Sequence, residues 1–250
     1  MNSTKNKVYE TCAIWLSAIA VGVAAVVFAK LVTSVQNIYF YWFNLHVYLT
    51  SLSTPFIFVL ATFLVRRYAP DAKGSGIPQV LEAIEAAKDA NQSTNIWYTS
   101  LVSLKTALIK VLSATLGIIG GASIGREGPT VQISSAAFAF VGRRLHKRIP
   151  QINFQTYLIA GAASGVAAAF NAPIAGITFA LEEIAEGFLG PFRRTVMLAV
   201  IIAGITAQAL LGDYLFFGHP LILASSALVF PEALVIGLIG GFVGGPSLNC

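Results

Sequence analysis

Charged side chains are scarce in this sequence. Of its 250 residues only 11% are Asp, Glu, Lys or Arg, and 56% are hydrophobic. A soluble domain carries about 25% charged residues, so this scarcity, with a mean hydropathy of +0.75, excludes an ordinary soluble fold. Cysteine is rarer still, since Cys12 and Cys250 supply neither a disulfide framework nor a metal-ligand spacing. The sequence also lacks a nucleophile, base and oxyanion-donor constellation, and we therefore expect no enzyme, no metal site and no cofactor.

Long apolar runs make up most of the chain. Residues 11–29 and 47–65 are uncharged stretches, each close to the roughly 20 residues that cross a bilayer as a helix. Residues 149–181 are also uncharged, but this run is too long for a simple span and is interrupted at Asn171-Ala-Pro173. One helix ending near Asn171 and another starting at Pro173 would accommodate it. We predict an all-α, polytopic membrane protein with broken, re-entrant helices.

Basic residues occur in short clusters between the apolar runs. The formal net charge of +5 would suggest a nucleic-acid partner in a soluble protein. Here the clusters at residues 5–7, 66–67, 143–148 and 193–194 flank the predicted spans, where the positive-inside rule places them. We therefore expect these clusters and the N-terminus to be cytoplasmic, and we expect no nucleic-acid partner.

Arg126 and Glu127 are the only charged residues between positions 111 and 142. An ionised group at the centre of a bilayer costs roughly 2.5 to 3.5 kcal/mol, so such residues usually face a cavity, have a partner and mark an ion path. The alternative interpretation is a surface turn with a solvated ion pair, but no polar segment flanks this motif. The position of the two residues therefore favours a functional site within the membrane.

The residues around this pair are typical of a loop that leads into a helix. Gly125 and Gly128 permit a closely approached, non-helical backbone, and Pro129 suits the first turn of a new helix. A half-length helix that begins at Pro129 and ends at Gly142 would direct its free amides and the positive end of its dipole towards the space beside Glu127. This arrangement predicts an anion site.

A second segment, Gly74-Ser75-Gly76-Ile77-Pro78, repeats this chemistry with a glycine-rich turn, a proline and a helix start. Its backbone amides and the hydroxyl donor of Ser75 can together hold a halide ion. Taken alone, the segment fits an ordinary N-capped cytoplasmic helix equally well. The occurrence of both segments in one chain favours the anion-binding interpretation.

Two lysines interrupt the apolar stretch at residues 96–124. An intramembrane lysine suggests a functional site, and Lys110 would raise the positive potential beside an anion path. A role away from the path fits Lys110 equally well. Lys105 lies nearer the start of the stretch, where its ammonium group can extend to the membrane interface.

Two adjacent glutamates, Glu182 and Glu183, end the uncharged run at 149–181. A partly desolvated carboxylate beside a like charge can carry protons. The alternative is that the pair caps its helix in water at the membrane surface, or binds Arg193 or Arg194. The residues themselves leave both interpretations open.

These segments together resemble the chloride channel and proton/chloride antiporter (CLC) family. Residues 74–78 match the family's first anion-binding motif and residues 125–129 its second, in the same order and separation. Residues 161–173 match a further family segment that leads directly to the glutamate pair. Two such motifs in one chain make the resemblance highly specific.

The resemblance implies roles for individual residues. Ser75 would coordinate a central chloride, and Glu127 would be a gating carboxylate that occupies an anion site until it is protonated. Glu183 falls on the internal proton-transfer glutamate of the exchangers, and Lys110 on a buried lysine near the path. Relatives selective for fluoride or nitrate typically replace the serine, so Ser75 favours chloride.

The implied function is proton-coupled chloride exchange, with chloride and protons as ligands and a homodimer formed through transmembrane helices in the lipid bilayer. A passive chloride channel is one alternative, and the glutamate at position 183 distinguishes the two because channels usually lack it. Another alternative is a non-transporting fragment that only associates with other subunits.

Family members consist of two inverted repeats. By this resemblance we expect a cytoplasmic N-terminus at 1–10, a first transmembrane repeat at 11–230 and the start of a truncated second repeat at 231–250. The family's third anion-binding motif and the tyrosine that closes the central site have no counterpart in the sequence. We therefore expect this chain to supply half of a site that forms between repeats.

Overall fold

The computed structural model of the chain describes residues 2–89, 98–146, 154–179, 182, 192–212 and 229–244. Within these ranges the backbone forms helices and turns and no strand, which confirms the predicted all-α class. The α-helices are α1 (Asn2–Leu45), α2 (Val47–Tyr68), α3 (Ile77–Asp89), α4 (Tyr98–Leu101), α5 (Leu104–Ile119), α6 (Glu127–His146), α7 (Phe154–Phe170), α8 (Pro173–Phe179), α9 (Phe192–Leu211) and α10 (Val229–Gly244).

Among the described residues, two helical segments are long and apolar enough to cross a membrane, Thr11–Leu45 in α1 and Val47–Tyr68, the whole of α2. α1 is longer than the apolar run at 11–29 predicted, because it continues through the polar and aromatic residues to Leu45. No glycine or proline lies between positions 30 and 45, and polar side chains alone cost a helix little. α2 likewise continues through its internal Pro55.

α7 lies at the centre of the packing and contacts α1, α3, α6, α8 and α9. Its residues from Gln155 to Ala168 are all buried, as expected for a helix that is apolar or small on every side. α6 approaches it closely, since a Cβ atom at Gly161 would lie 2.8 Å from the Cα of Ser135. A Cβ atom at Gly165 would lie 2.9 Å from the Oγ of Ser134. Small residues thus hold α6, which begins at Glu127, directly against the core.

The break between α7 and α8 lies where the sequence predicts it. α7 ends at Phe170 and α8 begins at Pro173. Asn171 adopts a φ of 54°, a left-handed conformation that Asn tolerates better than most residues. The amide of Ala172 donates to the carbonyl of Ala167 at 3.0 Å, so the turn satisfies a carbonyl that the helix end would leave free.

The chain divides into two compact units, Met1–Phe216 and Phe217–Cys250. The described part of the second unit is α10, whose apolar side chains are exposed, including Leu234, Ile236 and Phe242. The predicted domain boundaries at 10 and 230 stay predictions.

Positions 66 and 144 should lie on the cytoplasmic face of the membrane and position 48 on the opposite face. Tyr48 is in the first turn of α2 and Arg66 in the last, and a helix of this length spans a bilayer. The test uses single cysteines at these positions in a variant in which Cys12 and Cys250 are replaced by serine. Each cysteine should react with an impermeant thiol reagent only from the stated side. Labelling of positions 66 and 144 from opposite sides would contradict this topology.

Candidate functional site

The first glycine-rich segment forms a sharp loop before α3. Gly74 and Gly76 have φ values of 65° and 108°, which only glycine adopts without strain. The carbonyl of Gly76 accepts from the amide of Val80 at 3.2 Å, so α3 starts directly after it. Ser75 is exposed between the two glycines, beside the first-turn amides that have no acceptor within the helix.

The second segment begins its helix two residues earlier than predicted. α6 starts at Glu127 and not at Pro129, and it extends past Gly142 to His146. The carbonyl of Arg126 accepts from both the amide and the hydroxyl of Thr130, at 3.1 and 2.6 Å. Pro129 is therefore the third helical residue, where a missing amide hydrogen costs nothing. This places the Glu127 carboxylate in the first turn, where the helix dipole stabilises negative charge.

The Glu127 side chain folds back over its own loop. A Cβ atom at Gly125 would lie 2.5 Å from the Glu127 Oε2. The carboxylate therefore occupies space that any larger residue at position 125 would fill. Glu127 is itself only partly buried, so its carboxylate remains accessible.

The two loops are in direct contact. A Cβ atom at Gly128 would lie 2.7 Å from the Ser75 carbonyl oxygen and 3.0 Å from its Cβ. A Cβ atom at Gly76 would lie 3.1 Å from the carbonyl oxygen of Gly128. The fold thus brings together the two segments that the sequence singled out, although about 50 positions separate them, and the N-terminal ends of α3 and α6 meet at Ser75.

Lys110 forms hydrogen bonds with the main chain of the first loop. It is 2% exposed, and its Nζ donates to the carbonyl oxygens of Gly74 at 2.9 Å and Lys73 at 3.3 Å. Lys105, by contrast, is exposed near the start of α5. The two lysines therefore have different environments, as the sequence suggested.

Two glutamines that the sequence analysis missed also contact this loop. Gln79 Nε2 donates to the carbonyl of Lys73 at 3.0 Å. Gln132 Nε2 donates to the carbonyls of Asp71 at 3.1 Å and Leu101 at 2.9 Å. The only available signal for Gln132 was its amide side chain, five positions after Glu127 in a helix whose other polar residues before position 143 are small hydroxyl residues.

A cavity of about 480 Å³ adjoins both loops. Gly74 and Pro129 line it, and the described residues around it include Arg66, Lys73 and Lys110 but no carboxylate. A concave surface with charges of a single sign concentrates oppositely charged ions. The electrostatics of this cavity therefore favour anions.

Glu183, the predicted proton-transfer residue, lies outside the described residues, so its position relative to the loops stays a prediction. Its neighbour Glu182 is exposed. No cluster of three His, Cys, Asp or Glu residues suitable for a metal occurs in the part of the chain that the structure describes.

The sequence profile of the family described as voltage gated chloride channel matches residues 56–246. The chain belongs to this family. Curated H(+)/Cl(-) exchange transporters ClcA from three strains of Vibrio cholerae serotype O1 are 33% identical to this CLC chain over 198 residues. The match covers 77% of this chain and 39% of each relative, so the chain spans well under half of their length.

Solved structures of CLC antiporters have the same fold. The crystal structure of a slow cyanobacterial Cl-/H+ antiporter superimposes with a TM-score of 0.73 at 22% identity, over 93% of this chain and 54% of that one. A CLC-type fluoride/proton antiporter gives a TM-score of 0.64 at 26% identity, over 97% and 58%. These findings confirm the family resemblance and the polytopic fold, and the chain is an integral membrane protein.

Gly128→Ala should destabilise the protein by about 1–3 kcal/mol, because the new methyl group meets main-chain atoms of Ser75 that cannot move independently. Gly125→Ala is the matched control, since its methyl group meets only the end of the Glu127 side chain, which can rotate away. Thermal unfolding in detergent measures both. Equal melting temperatures for the two variants would show that the loops do not pack as described.

Proposed function

We propose that this CLC chain takes part in transmembrane chloride transport, and that the complete protein exchanges chloride for protons. The contact between Ser75 and Gly128 is the observation that supports this most. Two helix N-termini that meet at one place offer free amides and two positive dipole ends to the same anion. The relatives named H(+)/Cl(-) exchange transporters support proton coupling.

Chloride binding in this proposal needs no cofactor. The Ser75 hydroxyl and the main-chain amides of residues 74–77 donate to a dehydrated chloride. Those of residues 125–128 donate at the next anion position along the path. Lys110 and the basic cavity raise the local concentration of anions. A small halide fits because every donor is a main-chain amide or a short hydroxyl.

Glu127 couples the two fluxes. Its carboxylate projects from the first turn of α6, so it competes with chloride for the same helix N-terminus. Protonation removes its charge and its affinity for that position, and chloride then takes its place. Glu183 supplies the proton from the cytoplasmic side, on which the N-terminus also lies.

A passive chloride channel is the second candidate. The name of the matching family, voltage gated chloride channel, favours it. The two candidates share the anion site at Ser75 and differ in whether proton movement accompanies chloride.

The proposal extends to a homodimer formed through α8 and α9. Their apolar side chains Ile174, Ile201 and Ile205 are 76%, 40% and 57% exposed. Small residues elsewhere on α9, such as Ala203 and Ala207, are buried against the core. The exposed stripe is therefore available to a second copy.

Glu127→Gln in the complete protein should abolish proton coupling and leave chloride flux, because it imitates the protonated carboxylate at the same size. Glu183→Gln should also uncouple protons by interrupting their delivery. The two variants should differ in pH dependence: flux through the Glu127 variant should not change with external pH, whereas the Glu183 variant retains the gate and should pass more chloride as external pH falls.

Chloride and proton fluxes in liposomes measure both variants, with the exposed Glu85→Gln on α3 as a control that should remain coupled. Coupled proton movement in Glu183→Gln would refute the assigned role of Glu183. Chloride flux without any proton flux in the wild type would favour the channel.

Ile205→Trp should weaken the dimer, since a bulky ring disrupts a closely packed helix interface. Leu60→Trp on α2 is the control, because Leu60 is 52% exposed and lies on a different helix. The mass of the detergent-solubilised protein, measured by light scattering, should fall to that of a monomer only for Ile205→Trp. A monomeric wild type at all concentrations would contradict the proposed dimer.

A further inference from the structure

Three carbonyl groups in the segment 71–74 accept hydrogen bonds from side chains on three different helices. Gln79 in α3, Lys110 in α5 and Gln132 in α6 together donate to the carbonyls of Asp71, Lys73 and Gly74. All three donors are buried, at 9%, 2% and 0% exposure. This short loop receives four hydrogen bonds, three of them from donors 36 or more positions away, and is therefore held in one conformation.

The direction of these carbonyls matters for an anion that binds at Ser75. In a glycine-rich loop the peptide planes can turn over, because glycine adopts φ values of either sign. A peptide that turned over would present its carbonyl oxygen, the negative end of the dipole, to the anion in place of its amide. The hydrogen bonds from the three donors fix the direction of these carbonyls and so oppose such a turn.

The glutamines serve as donors at this position. Their Nε2 atoms bond to carbonyls, while among the described residues neither Gln79 Oε1 nor Gln132 Oε1 has a hydrogen-bond partner. A buried acceptor without a partner destabilises the folded protein, and an apolar side chain would avoid this loss. The hydrogen bonds that the two Nε2 atoms donate to the loop offset this loss.

Gln132 also fixes the distance between the two motifs. It lies on the helix that begins at Glu127, and a Cβ atom at Gly76 would lie 2.9 Å from its Oε1. The loop that carries Ser75 is therefore attached to the helix that carries Glu127.

Both glutamines are neutral, and this leaves the charge of Lys110 in place. Lys110 donates to two carbonyls and forms no ion pair with a carboxylate among the described residues. Gln79 Nε2 shares the Lys73 carbonyl with the Lys110 ammonium group, so a carboxylate at position 79 would lie close enough to neutralise it.

We propose that Gln79 and Gln132 are positioning residues for chloride: they orient the loop at 71–76 so that its amides face the anion, and they do so without cancelling the charge of Lys110. This inference rests on the proposed chloride function. It predicts that replacing either glutamine weakens chloride binding while the folded protein and its maximal rate are retained.

The test measures chloride flux against chloride concentration in liposomes that contain the complete protein. Gln79→Met and Gln132→Met keep the side-chain length and remove the donor, and the chloride KM should rise about five- to twentyfold with a nearly unchanged maximal rate. Gln79→Glu should raise the KM further than Gln79→Met, because it also neutralises Lys110. Gln36→Met, on an exposed position of α1, should leave the KM unchanged.

A KM within twofold of wild type in both methionine variants overturns the inference while leaving the proposed function intact. A wild-type protein that moves no chloride overturns both. A lower maximal rate with an unchanged KM would indicate a merely structural role and also overturns the inference. If Gln132→Met fails to fold, as judged by its melting temperature, the order of KM values among wild type, Gln79→Met and Gln79→Glu decides.

Discussion

Hydrocarbon offers no water to a main-chain polar group, and every break between the helices of this protein has to satisfy its own carbonyls and amides. The break before α3 does so with Gln79, Lys110 and Gln132. The break before α6 uses the hydroxyl of Thr130 on the Arg126 carbonyl. Each solution occupies the carbonyls, whereas the first amides of a helix have no acceptor within that helix.

The positions of these breaks could be predicted from the sequence because they depend on local chemistry. Glycine and proline disfavour a continuous helix wherever they occur together, and Asn171 tolerates the left-handed turn that precedes α8. Residues 74–78 and 125–129 each contain two glycines and a proline. The isolated charged pair Arg126 and Glu127 within an uncharged run then favoured a functional break over an ordinary turn.

The contacts between the loops and the distant side chains could not be predicted, because they depend on which segments of the chain meet in space. No local sequence pattern contains that information. Lys110 bonds to carbonyls 36 and 37 positions away, and Gln132 to one 61 positions away. In the sequence, Gln132 is one of several polar residues in α6, and nothing local distinguishes it from Ser134 or Ser135. The ends of α1 and α6 were misplaced for a different reason, since a helix continues past polar residues when neighbouring helices bury one of its sides.

The close contact of Gly128 with Ser75 also limits how fast different parts of this site can move. Two loops packed main chain against main chain cannot easily slide past each other, so opening by helix movement would require both to shift together. The Glu127 side chain, partly exposed, can instead turn about its own bonds, and such rotations take picoseconds to nanoseconds where helix movements take microseconds or longer. Under the proposed exchange mechanism, the carboxylate would leave its position as soon as it is neutral, and the supply of protons would then set the pace of the cycle.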